Sequence, residues 1–307
     1  MNVIGFDTSN YTTSIACFDG TGGINCSELL PVKAGELGLR QSDAVFHHTK
    51  SLPELSGRLF SDIDIGSIQC VGVSMKPRMV DGSYMPCFMV GYSHAKMLSD
   101  ACHIPLVCCS HQQGHVAAAA WSAGRLELMD QPHLAWHLSG GTTELLLVEP
   151  EGASVNCKKI GGTTDISAGQ LIDRTGQLLS LPFPSGRQLD QLGSTAIRDD
   201  YYRVKTNELF FSLSGVENKV NQYHSTHQQE AETAGYALRC ICNVVYRTTM
   251  EALKQYPGLP VLLSGGVASN SMLRKTMEPL GAVFAAPEYS RDNAMGVAII
   301  AHRSLEG

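Results

Sequence analysis

The sequence predicts an α/β protein with two lobes, each a mixed β-sheet covered by helices. Three observations carry that expectation. The chain has 307 residues, about twice the common domain size of ~100–150 residues. A strand, a small-polar turn and a returning strand occur twice, about 130 residues apart, which reads as an internal duplication. Around them the elements follow the order β, β, α, β, α, as in a mixed sheet with helices on its faces. Hydrophobic residues make up 43% of the chain and charged residues 17%, which excludes a disordered chain and supports a sizeable core.

The elements follow in order. Asn2 to Asp7 is a short apolar strand ending in a carboxylate, Thr8 to Thr13 a hydroxyl-rich turn, and Ser14 to Asp19 the return. Asp43 to Leu59 has helical composition and is expected in two pieces broken at Pro53. Ile68 to Met75 and Pro105 to Cys109 are core strands, with a helix over Val90 to Leu98 between them. The second hairpin is Leu134 to Leu138, a Ser139-Gly-Gly-Thr-Thr143 turn, and Glu144 to Val148. Residues 165–180 are expected as one helix. Residues 228–256 form a long helix, with Ala231, Ala234, Leu238, Ile241, Val245 and Met250 as its apolar stripe. Pro260 to Ser264 is a buried strand, Asn270 to Met277 starts a helix, and Ala294 to His302 is an apolar helix.

Composition narrows the function. The start, Met1 to Asp7, lacks a basic leader, and no apolar run approaches the ~20 residues of a membrane span. A cytoplasmic protein without a membrane partner is expected. The ten cysteines are scattered, which suits reduced thiols; Cys108-Cys109 and Cys240-x-Cys242 read as buried small hydrophobes. A net charge of −6 argues against a free-standing nucleic-acid binder. It leaves tRNA open as a substrate, since a local patch or a partner protein can supply the positive field.

The sharpest motif is His111-Gln-Gln-Gly-His115, between a strand and an Ala-rich helix. A spacing of four puts both imidazoles on one helical face, an arrangement that suits a divalent transition metal. Taken alone it also fits two polar histidines at a helix start. Ser139-Gly140-Gly141 offers bare amides to a phosphate, or is an ordinary hairpin turn; Asp7-Thr8-Ser9 is its counterpart in the first hairpin. Gly265-Gly266 through Asn270 closes a strand before a helix and leaves free amides there. Asp173 on a helix is a candidate ribose contact. Asp292-Asn293 precedes the last helix, where an Asp suits an N-cap or completes a His/carboxylate metal shell.

In this order, with Gly186 and Ser214-Gly215 between, these residues resemble the tRNA N6-adenosine threonylcarbamoyltransferase family (TsaD/Gcp), earlier labelled O-sialoglycoprotein endopeptidases, over about residues 1–303. The resemblance implies an actin/hexokinase/Hsp70-like (ASKHA) fold of duplicated ribonuclease H-like lobes with a central cleft. The expected division is an N-terminal lobe at 1–110 and a C-terminal lobe at 111–307 carrying most of the nucleotide and metal site. It implies an iron or zinc ion on His111, His115 and Asp292, with His137 as a further ligand. It also implies ATP or an acyl-adenylate, with magnesium as an accompanying ion, as the nucleotide. The family's substrate contacts then map onto His137 to Gly141 (Ser139, Gly140 and Gly141 among them), Asp173, Gly186 and Asn270, and the turns read above add Asp7, Gly265 and Gly266 to the expected nucleotide set. The implied reaction is transfer of threonylcarbamoyl from its adenylate to N6 of a tRNA adenosine beside the anticodon. tRNA is the acceptor, and subunits of the same modification machinery are the expected partners.

Three segments depart from the family's pattern. The first hairpin reads Asp7-Thr-Ser-Asn-Tyr-Thr-Thr13 and lacks two acidic side chains. Lys76 to Tyr84 replaces a Gly-Pro-Gly-Leu turn, and Thr142-Thr143 follows Ser-Gly-Gly. Weighed against the transferase are a divergent paralogue acting on another carbamoyl or acyl adenylate or nucleotide, a metallopeptidase, a non-catalytic partner subunit and a kinase of the same fold class. The metallopeptidase lacks an HExxH glutamate, because Gln112 and Gln113 stand between the histidines. The intact histidine pair argues against a scaffold, and a kinase of this kind uses Mg²⁺ and carboxylates.

Overall fold

The computed structural model describes residues 1–31 and 39–306. Strands β1 (Asn2–Thr8), β2 (Thr12–Phe18) and β3 (Gly23–Leu29) form an antiparallel meander. Helix α1 (Gln41–Phe60), β4 (Ile68–Lys76), α2 (Phe88–Cys102), β5 (Leu106–Ser110) and α3 (His111–Ser122) follow. The next part holds β6 (His133–Leu138), β7 (Thr143–Glu151), β8 (Ser154–Thr163), α4 (Ala168–Leu178) and α5 (Gly186–Gly193). It continues with β9 (Thr206–Asn207), β10 (Phe210–Phe211), α6 (Ser214–His227), α7 (Glu230–Gln255), β11 (Val261–Ser264), α8 (Ser271–Met277) and β12 (Val283–Phe284). Helix α9 (Met295–Glu306) comes last.

The chain separates into two compact units. The first comprises 1–131, 149–157 and 291–307, the second 132–148 and 158–290. The division therefore does not fall at 110/111: α3 stays with the first unit, and α9 returns to it.

In the first unit the sheet order is β3-β2-β1-β4-β5, with β1, β4 and β5 parallel. The second has the order β12-β11-β6-β7-β8-β10-β9. Its stretch β8-β7-β6-β11-β12 repeats the first sheet's order. There too the leading pair is antiparallel and the next two pairings are parallel. The duplication expected from the two hairpins is thus present in the topology.

Strands β1 and β2 are buried at nearly every residue, as expected when both faces of a sheet are covered. On one face Leu52, Leu55 and Leu59 of α1 pack with Ile4, Phe6, Ile15, Val71 and Val73. On the other, α9 lies so close that a Cβ on Gly5 would sit 2.5 Å from the Ala294 carbonyl, and one on Gly72 2.7 Å from that of Val297. In the second unit Leu134, Trp136, Leu138 and Leu145 pack with Leu171, Ile172, Ile241 and Val244. Trp136 Nε1 donates to Thr249 Oγ1 of α7 at 2.8 Å.

Four local expectations are corrected. Helix α1 is continuous through Pro53. A proline costs about 3 kcal/mol inside a helix, and three buried leucines at ~1.5–3 kcal/mol each outweigh it. The helix expected over 165–180 is shorter: Ser167 and Gln170 form a reciprocal cap that fixes its start at Ala168. Met250 stands 39% exposed, because the buried face of α7 runs instead through Thr248, Thr249 and Ala252. Cys108 is exposed, while Cys109, Cys240 and Cys242 are buried; all ten cysteines are free. Among the described residues no helix is long and apolar enough to cross a membrane.

Candidate functional site

The first turn of α3 is built to hold its histidines still. Ser110 Oγ accepts from Gln113 N at 3.2 Å, and Gln113 Oε1 accepts from Ser110 N at 2.8 Å. Gln113 Nε2 also donates to the Val155 carbonyl at 2.7 Å. The glutamine that separates this motif from a peptidase motif is thus buried and fully engaged in capping.

His111 and His115 then face one point. Their Nε2 atoms lie 2.9 Å apart, and Asp292 Oδ1 lies 3.2 Å from that of His115 and 3.5 Å from that of His111. Donors ~2.1 Å from one ion are about 3.0 Å apart at a right angle and about 3.4 Å apart at a tetrahedral angle. The three distances match either arrangement around a single ion. Among the described residues these three form the one cluster of His, Cys, Asp or Glu able to hold a metal. Two imidazoles and a carboxylate suit iron or zinc.

Each donor is oriented from behind. His111 Nδ1 donates to Asp7 Oδ2 at 2.7 Å, which turns the bare Nε2 toward the cluster. Asp7 is 1% exposed, and its other oxygen accepts from Ser9 N at 3.0 Å. Asp7 was expected at the nucleotide; its carboxylate is engaged by the His111 ring and the Ser9 amide. Asp292 Oδ2 accepts from Ser9 Oγ at 3.2 Å and Thr12 Oγ1 at 3.3 Å, which leaves Oδ1 for the cluster. Asn293, not Asp292, serves the start of α9, accepting from Met295 N at 3.1 Å. Asp292 is thereby released from capping.

Burial alone would lower the His111 pKa, but the Asp7 charge and hydrogen bonds to Asp292 and Asp7 raise it well above the usual imidazole value. Burial would raise the Asp292 carboxyl, and its hydrogen bonds with His111 and His115 hold it well below the usual range. A metal on these donors displaces the imidazole proton, so binding weakens as pH falls. Replacing Asp7 by Asn should lower metal affinity about 10–100-fold through loss of His111 orientation. Metal titration with a competing chelator measures this; an unchanged affinity would remove Asp7 from the site.

All of these residues belong to the first unit. The other candidates, from His137 to Asn270, belong to the second, whereas most of the nucleotide and metal site was expected in a lobe at 111–307. His137 on β6 is not in the metal cluster; its Nδ1 lies 3.4 Å from Ser264 Oγ. At the β6–β7 turn Ser139 N donates to the Thr142 carbonyl at 2.8 Å, and Thr142 N to Ser139 Oγ at 3.1 Å. Gly140 and Gly141 are exposed, with open space where a side chain would stand. Gly265 has φ +91°, and a Cβ there would sit 2.2 Å from the Leu138 carbonyl, so only glycine lets this turn pass β6; Gly266 faces open space. Asp173 Oδ1 accepts from Ser185 N at 2.9 Å, next to Gly186, and burial pushes its carboxyl up. Asn270 Oδ1 caps α8 through Leu273 N at 2.9 Å, and its Nδ2 donates to Asp190 Oδ1 at 2.7 Å.

Sequence reasoning missed the supporting groups. Ser9 and Thr12 were visible only as a polar turn, and Asp190, which also accepts from Ser271 N at 3.0 Å, gave no signal. Their partners lie up to 283 residues away.

Comparison with known proteins adds three findings. The model of the family described as "TsaD: tRNA N6-adenosine threonylcarbamoyltransferase" matches residues 36–299. A tRNA N6-adenosine threonylcarbamoyltransferase of Streptococcus suis is 32% identical over 231 residues, 71% of this chain and 64% of that protein. The match thus spans under two thirds of that relative. Among solved structures, full-length HypF in its phosphate- and nucleotide-bound form aligns with TM-score 0.64 at 16% identity, covering all of this chain and 47% of that one. A ROK family glucokinase from Streptomyces griseus, in complex with glucose and AMPPNP, aligns with TM-score 0.55 at 10% identity over all of both chains. The fold is of the actin/hexokinase/Hsp70 kind.

Proposed function

The chain belongs to the tRNA N6-adenosine threonylcarbamoyltransferase family, and from that premise we propose that it is a metal-dependent acyltransferase of the cytoplasm. It moves a threonylcarbamoyl group from its adenylate to N6 of the tRNA adenosine beside the anticodon. The observation that carries this reading is the convergence of His111, His115 and Asp292, backed by Asp7, Ser9 and Thr12, in a chain of this family.

When bound to His111, His115 and Asp292, iron or zinc supplies Lewis-acid polarisation of an oxygen on the acyl-adenylate. The chain's own residues do the rest. The Gly140 and Gly141 amides of the β6–β7 turn are offered to the adenylate phosphate, and Asp173 of α4, bonded to Ser185 just before α5, is offered to the ribose hydroxyls. Gly265 and Gly266 allow close approach of the nucleotide, and Asn270 keeps α8 in register beneath it. The tRNA N6 amine bonds to the carbonyl carbon, and the C–O bond to the phosphate breaks. AMP leaves with that electron pair, and the amine proton passes to solvent. Subunits of the same machinery are proposed as partners on this family ground alone.

The test is mass spectrometry of tRNA nucleosides from a strain lacking only this gene. The expected result is loss of threonylcarbamoyladenosine, restored by the wild-type gene. Persistence of the modification would count against this acceptor and favour the paralogue acting on another acyl adenylate.

A further inference from the structure

Among the described residues the most exposed aromatic ring of the second unit is Phe183, at 82% exposure. It stands in the α4–α5 turn between Pro182 and Pro184, which are exposed as well. Exposure of this degree usually belongs to a mobile tip, but this turn is tied down on three sides. Ser185, 1% exposed, donates from its hydroxyl to the Pro182 carbonyl at 3.1 Å and from its amide to Asp173 Oδ1 at 2.9 Å. Gly176 of α4 lets the turn close: a Cβ there would lie 2.0 Å from Ser185 Oγ. The two prolines fix their own φ angles. The ring is therefore presented outward by a stiff mount, and it packs on no other ring among the described residues.

The surroundings narrow what the ring meets. No other exposed large apolar residue lies on α4 or α5, so the patch is far below the roughly 800 Å² per partner of a stable protein interface. One flat face is the right size for one flat ligand. Asp173 and Gly186 join the same turn, and Arg187, exposed on the first turn of α5, pairs with no carboxylate among the described residues. Arg187 follows Phe183 by four residues on this turn, and an aromatic face together with a guanidinium is the pairing that holds an unstacked base and its phosphate.

We propose that Phe183 is a stacking platform for an unpaired nucleobase, with Arg187 taking the adjoining phosphate. The inference rests on the nucleotide and tRNA reading above. The base comes either from the RNA acceptor or from the adenylate, and the chemistry is the same.

The experiment uses the full chain with Phe183→Ala and Phe183→Trp. One arm titrates a fluorescent anticodon stem-loop RNA with an unpaired adenosine beside the anticodon; the other titrates AMP by calorimetry. Because the ring is exposed, Phe183→Ala should melt as the wild type does. It should weaken one ligand about 5- to 150-fold, with Phe183→Trp restoring affinity. Loss confined to RNA assigns the base to the acceptor, and loss confined to AMP assigns it to the adenylate. Wild-type affinity for both ligands in Phe183→Ala, or a tryptophan variant as weak as the alanine one, overturns the platform alone. A wild-type protein that binds neither probe overturns the nucleotide reading and the platform with it.

Discussion

Replacing both His111 and His115 by alanine is expected to leave the purified protein with less than about a tenth of the wild-type content of iron or zinc, because one carboxylate alone is a poor transition-metal site. Elemental analysis after dialysis measures it, and unchanged stoichiometry would sink the site. Transfer activity should fall with the metal. The two single variants differ in a way that separates binding from folding. His111→Ala also leaves Asp7, 1% exposed, without its imidazole partner. Breaking such a buried pair costs about 3–5 kcal/mol. His115 bonds to His111 and Asp292, and its removal leaves the His111–Asp7 pair in place, so His115→Ala should empty the site while melting close to the wild type. Denaturant titration of the two variants checks the ordering.

The second large effect is expected from Gly296→Ala. A Cβ there would lie 1.8 Å from the Gly114 carbonyl oxygen and 2.9 Å from Ala118 N. Both obstacles are backbone, so relief requires α9 to lift from α3. Lifting would also open the close approach of α9 to Gly5 and Gly72, and it would carry Asp292 away from the histidines. Overpacking of this kind costs about 3 kcal/mol or more, and a displaced ligand lowers metal affinity further. At the facing position, Gly114→Ala meets as its one tight neighbour the Val297 methyl, at 3.1 Å, which can yield by a few tenths of an ångström; the backbone atoms near it lie at 3.6 and 4.0 Å. Its effect should be much the milder. Equal urea midpoints for the two variants would contradict the proposed role of this seam.

The contrast between the two glycines also shows what the sequence could disclose. The glycine between the histidines is legible as a close-packing position within its own helix, but the helix it meets begins 181 residues later in the chain. The two hairpins announced the duplicated sheets because their signals are local: apolar runs around small-polar turns. The His111/His115 pair was legible for the same reason, since a spacing of four puts both rings on one face of a helix. Asp7 was read with the nucleotide because its sequence neighbours are a turn; its partner is His111, 104 residues away. Pro53 was overweighted because local propensity carries no record of Leu52, Leu55 and Leu59 beneath α1. The division at 110/111 failed at α9, whose affiliation is decided by packing on β1, β4 and α3.

That affiliation sets an order of events. The first unit needs residues 291–307 to cover its sheet and to supply Asp292, yet the ribosome makes all of the second unit before them. During synthesis the first sheet must wait with one face open, while the second unit can close on its own residues. A metal held by His111, His115 and Asp292 would then load only onto chains whose translation has passed Asp292. A nascent chain halted inside the second unit presents an uncovered apolar face, the kind of surface that chaperones retain, and it lacks Asp292.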